Sequence, residues 1–104
     1  VDIIMMNIVV KAIDFSADSK LIEFIEKKLR RLSKYFNREI KAEVHLKLQN
    51  TGSSIKQKIA EIHLQIPGAW LVDKKSDLTF ENAILASTET LKRQLIRYKE
   101  KTAR

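Results

Sequence analysis

The chain has no cysteine. That excludes disulfides, thiolate metal centres and a cysteine nucleophile, and it fits a reducing cytoplasm without requiring one. Its two glycines, Gly52 and Gly68, stand in separate turns, so no glycine-rich phosphate loop exists. The single proline, Pro67, precedes Gly68 and marks a turn. No apolar run approaches the ~18 residues that would read as a membrane span, and no signal-peptide pattern is visible. No nucleophile elbow or kinase element occurs. Neither of the two histidines has an evident serine and aspartate partner. The expectation is a non-catalytic protein without cofactor, metal or small-molecule substrate.

What is present is positive charge, unevenly placed. The 104 residues carry a net charge of +7, which points to an anionic partner. Lys20 to Arg38 holds seven basic and two acidic residues, and Lys92 to Arg104 six basic and one acidic. These segments carry +10 together, so the remainder sums to −3. Charge kept only for solubility would be scattered.

A chain of this length reads as one domain, residues 6–104. Val1 to Met5 are unusual for a natural start. Met5 or Met6 is a candidate initiator, leaving 1–5 as an upstream or non-native extension.

Met6 to Ile13 is nearly continuous in apolar residues, as in a central strand covered on part of both faces. Ser16 and Asp18 are candidate N-caps for a helix from Ser19 to about Phe36. Its core stripe is Leu21, Ile22, Ile25, Leu29, Leu32 and Phe36. Lys20, Lys27, Arg30, Arg31 and Lys34 lie opposite, with Lys28 at the border beside Phe24 and Tyr35. The cations gather towards the C-terminal half, which the helix dipole explains in part. Asn37 is a candidate left-handed stop.

Glu39 to Gln49 alternates, with Ile40, Ala42, Val44, Leu46 and Leu48 on one face. After a loop, Asn50 to Ser54, Lys56 to Ile66 alternates again. Opposite charges favour a hairpin register that sets Lys47 against Glu61 and His45 against His63. Ala69 to Lys74 is a short edge strand. Ser76 to Thr79 offers caps for a last helix, Thr79 to Lys101. Phe80, Ile84, Ser87, Leu91, Leu95 and Tyr98 form its core face, while Thr90, Arg93, Arg97 and Lys101 line another edge. The order is β-α-β-β-β-α. It predicts an α+β fold in two layers, a four-stranded sheet with both helices packed on one face, like a double-stranded RNA-binding domain.

Three features compete for a role. His45 and His63 across the hairpin can be read as metal ligands with Glu43 or Glu61, but two histidines on a solvated sheet face are the commoner case. Trp70 is either a stacking platform for a base or a core or sheet-edge anchor. The usual burial of tryptophan favours the anchor. Leu85 and Ile96 share a flank of the last helix, either as a partner patch or packed under neighbouring segments.

The basic stripes carry the functional argument. Two helices on one side of one sheet both turn cations outward with few acids between. Such ridges can track phosphates. RNA is favoured over duplex DNA, because no helix-turn-helix, zinc finger or basic zipper is present.

With that order and charge, the chain resembles the short-form ribosome hibernation promoting factors, including protein Y, also described as ribosome-associated inhibitors. The resemblance runs from Met6-Asn7-Ile8 through almost the whole chain. Its most specific parts are LRRLSKYF, Leu29 to Phe36, and the ending through Ala83-Ile84 and Leu91 to Lys101. It implies a cytoplasmic protein that binds the small ribosomal subunit through its 16S-type rRNA, in the channel between head and body. There it excludes mRNA and tRNA and silences translation in stationary phase and stress. The implied RNA contacts are Lys28, Arg31 and Lys34 on the first helix and Arg93, Arg97 and Lys101 on the second. A monomer off the ribosome is expected. Thr90 departs from the family, where many members have a lysine, and so does Leu85, where many have an aspartate. The strand Ala69 to Lys74 matches poorly. A generic double-stranded RNA-binding module and a protein-binding domain using a sheet edge are the alternatives.

Overall fold

The computed structural model describes residues 6–50, 52 and 56–102. The N-terminal extension 1–5 and most of the predicted loop after Asn50 lie outside the described residues. The elements are β1 (Met6–Ala12), α1 (Ser19–Arg30), a 3-10 turn (Arg31–Lys34), β2 (Ile40–Asn50), β3 (Lys56–Ile66), β4 (Ala69–Asp77) and α2 (Phe80–Thr102). The strands form one four-stranded sheet in the order β1-β2-β3-β4. β1 pairs parallel with β2, and the two remaining pairings are antiparallel. The predicted α+β order and two-layer plan are what the chain adopts.

Alternation decides the layers. Ile40, Val44, Leu46, Ile62 and Leu64 are fully buried on one sheet face, under Ile25 and Leu29 of α1 and Ile84, Leu91 and Leu95 of α2. Each such aliphatic side chain contributes roughly 2 kcal/mol on leaving water. Phe15, from the β1–α1 connection, stacks on Phe80 at 5.3 Å between ring centroids. This ties the start of α2 to the far side of the core. Asp18 caps α1 by accepting from the Leu21 N–H at 2.8 Å. Thr79 starts α2 by accepting from the Asn82 N–H at 3.0 Å.

Five expectations need correction. β1 is an edge strand, not a central one: it pairs with β2 alone, and Val9 points outward, 51% exposed. The crossover through α1 places β1 on one edge of β2, and the β2–β3 hairpin takes the other. Second, α1 ends at Arg30, and the chain continues as a 3-10 turn rather than an α-helix to Phe36. The Ser33 hydroxyl donates to the Arg30 carbonyl at 2.7 Å, the acceptor that a continuing α-helix would use for residue 34. Third, Asn37 is not a left-handed stop; among the described non-glycine residues only Asp14 has a positive φ, 62°. Fourth, the hairpin register differs by two residues. Glu43 faces His63, His45 faces Glu61 and Lys47 faces Ile59. A two-residue slip leaves every side chain on its original face, so alternation cannot choose between these registers. Last, β4 runs on to Asp77, with Asp73 on the helix side held by Lys75 at 2.7 Å.

Candidate nucleic-acid interface

Apolar residues determine where the cations point. On α2 the buried stripe through Ile84, Leu91 and Leu95 leaves Arg93, Arg97 and Lys101 exposed. Their four-residue spacing sets them side by side along the helix. On the other ridge Arg31 and Lys34 are exposed. Both lie in the 3-10 turn, where residues three apart eclipse. The change of helix type therefore aligns them more closely than an α-helix would. Lys28 is half-buried, with its ammonium 5.4 Å from the Phe24 ring centroid. It sits at the border of the stripe, as its position in the sequence predicts.

None of these six cations makes an ion pair among the described residues. Arg30, which the helical wheel places with them, is used internally. It bonds Glu26 at 3.3 Å and donates to the Met6 carbonyl at 3.4 Å. Sequence spacing gives no signal for the second contact, because Met6 is 24 residues away.

The two ridges meet at a contact that sequence reasoning missed. The Lys92 ammonium of α2 lies 5.0 Å from the centroid of Tyr35. Arg93 and Lys34 are the chain neighbours of this pair, so the cation-π contact joins the ridges where their exposed charges come closest in sequence. Thr90, where the family resemblance would put a lysine, accepts from the Arg93 guanidinium at 3.4 Å and donates to the Ala86 carbonyl at 3.4 Å. It adds no charge and helps to hold one. On the flank predicted to be apolar, Leu85 is exposed and Ile96 is half-buried.

The opposite sheet face is polar. The His45 and His63 rings lie edge to face at 5.5 Å. Each pairs with a glutamate on its own strand, His45 with Glu43 at 2.9 Å and His63 with Glu61 at 2.6 Å. Among the described residues no group of three or more His, Asp or Glu is arranged to hold a metal ion. Trp70 is not a buried anchor. It is 67% exposed on this face, because β4 is an edge strand whose alternation sends Ala69 and Leu71 to the core instead.

The fold agrees with that of the proteins the chain resembles. The sequence profile of the Sigma 54 modulation protein / S30EA ribosomal protein family matches residues 8–103. The chain belongs to this family. Among solved structures, the N-terminal domain of Protein Y from Thermus thermophilus is 26% identical, with a TM-score of 0.74 over 91% of this chain and 97% of that one. A ribosomal subunit interface protein from Coxiella burnetii is 20% identical and shares the fold, with a TM-score of 0.72 over 92% of this chain and 99% of that one. Curated protein sequences contain no match. In this S30EA-family chain the profile spans both cationic ridges and the sheet that supports them. No helix among the described residues is long and apolar enough to cross a membrane.

Proposed function

We propose that this chain is a ribosome hibernation factor. It docks the helix layer on the rRNA of the small subunit near the decoding region, excludes mRNA and tRNA, and inhibits translation in resting cells. The observation that carries the reading is the set of six cations, Lys28, Arg31, Lys34, Arg93, Arg97 and Lys101, on the helix layer without a carboxylate partner among the described residues. Family membership supports it. The mechanism is electrostatic docking followed by steric exclusion. It needs no chemical step, and the six residues act by neutralising phosphates rather than by moving protons.

Cosedimentation with small subunits tests the proposal. The double change Arg93→Glu, Arg97→Glu removes two phosphate contacts and adds repulsion, so binding falls at least about tenfold while the melting temperature stays nearly unchanged. Undiminished binding of that variant at physiological salt overturns the reading. Competition by free duplex RNA as effective as that by small subunits would make the chain a generic double-stranded RNA binder instead.

A further inference from the structure

The open face of the sheet is ordered in cross-strand rows. One row runs Asn7, Lys41, Gln65, Trp70 across β1 to β4, and the next runs Val9, Glu43, His63, Val72. All of these except Val72 line a surface cavity of about 340 Å³. The indole of Trp70 stands beside it on β4, 67% exposed. A tryptophan this open, on a face with no covering element among the described residues, leaves its ring free to stack on a ligand.

The surroundings indicate the ligand. Gln65 and Asn7 offer amide donors and acceptors. Lys41 is exposed and makes no ion pair among the described residues. The two carboxylates within the strands of this face are already engaged, Glu43 by Lys11 at 3.0 Å and by His45, Glu61 by His63, while Glu39, just ahead of β2, borders Lys41 and Gln65. Four lysines, Lys11, Lys41, Lys47 and Lys74, outnumber them on the same face. Val9 and Val72 are exposed but separated in their row by Glu43 and His63, and the exposed pair Trp70 and Val72 on β4 is bordered by the polar Gln65 and His63 on β3. An aromatic plane, neighbouring amides and a cation without an ion pair among the described residues match a nucleotide.

We propose that the open sheet face binds a single-stranded RNA segment. One base stacks on Trp70, its edge is held by Gln65 and Asn7, and its phosphate by Lys41. This surface lies on the other side of the sheet from the helix ridges. The inference stands independently of the hibernation reading, and the protein can engage two RNA segments at once.

Trp70 is the only tryptophan, so its fluorescence reports the site directly. The intact chain is titrated with a single-stranded RNA octamer of mixed sequence, with fluorescence and labelled-octamer anisotropy read together. Saturable quenching is expected. Trp70→Ala weakens octamer binding about tenfold or more, and Trp70→Phe retains most of it. Lys41→Gln weakens binding and lowers the salt slope by about 0.7. Arg93→Glu, Arg97→Glu leaves the quenching intact, so failure here and failure of the helix-face reading are distinguishable. An absence of quenching overturns the proposal, as does unaltered octamer binding by a Trp70→Ala protein with wild-type melting. Loss of protein capture in Trp70→Ala without loss of octamer binding also overturns it, and makes the face a protein-docking surface.

Discussion

The hydroxyl of Tyr98, on α2, donates to the carbonyl of Pro67 in the β3–β4 turn at 3.0 Å. The same oxygen fills the space above Gly68. A Cβ on Gly68 would lie 2.6 Å from it. Gly68 has φ +86°, a left-handed conformation that glycine adopts without steric cost. One contact thus fixes the closing helix to the edge hairpin, and glycine serves it twice, by backbone conformation and by lack of a side chain.

Gly68→Ala is therefore expected to destabilise by about 2 kcal/mol, combining left-handed strain with the clash. Tyr98→Phe alone costs about 1 kcal/mol for the lost hydrogen bond. The double variant should be less destabilised than the sum, because the next atom, Cζ, is 3.9 Å from the added Cβ. Urea denaturation of the four proteins measures the coupling. Strict additivity would mean that the hydroxyl does not limit the turn.

Ser87 is fully buried on the core face of α2, and its Oγ has no hydrogen-bond partner among the described residues. A buried hydroxyl without a partner costs about 1 to 3 kcal/mol. Ser87→Ala should stabilise by about 1 kcal/mol, seen as a higher denaturation midpoint at unchanged slope. A destabilised variant would point to a bond that the hydroxyl makes in solution.

The helix ridges predict a salt dependence. If all six cations neutralise phosphates, the subunit affinity falls by roughly 4 to 5 log units per log unit of salt. Arg97→Gln should reduce that slope by about 0.7 to 0.9. Arg30→Gln should leave the slope unchanged and instead lower stability, since Arg30 is bound to Glu26 and to the Met6 carbonyl. Affinity measured from 50 to 300 mM salt, with melting curves, separates the two arginines.

The sheet face predicts a titration. The Lys11 ammonium, by hydrogen bond and then by charge, holds the Glu43 carboxyl below its ordinary value of 4.5, with His45 adding to the effect. The hydrogen bond from His63 does the same for Glu61, opposed by desolvation. A depressed carboxylate contributes stability that is present above the ordinary value and is lost as pH falls through the lowered one. Stability should therefore drop on acidification below about 4.5. In Lys11→Met, the Glu43 midpoint, followed by carboxyl NMR, should rise towards 4.5 while that of Glu61 stays in place. An unmoved Glu43 would remove Lys11 as the cause.

Local periodicity alone determined much of this protein. The alternation of Ile40 to Leu46 and of Ala60 to Ile66 placed the core face of two strands. The stripe through Leu91 and Leu95 left Arg93, Arg97 and Lys101 no direction but outward. These are properties of a chain wound at a known pitch, and they need no partner to be read. Tertiary structure decided what depends on distant residues. It put β1 at an edge, because only the assembled sheet determines which strands have two neighbours. It chose a register that alternation cannot distinguish from one two residues away. It withdrew Arg30 from the cationic face by offering it the Met6 carbonyl, and brought Lys92 onto Tyr35. Above all it decided Trp70. The sequence shows an indole in a strand, but only the position of that strand and its phase against the core determine whether the ring is packed or left open to a ligand.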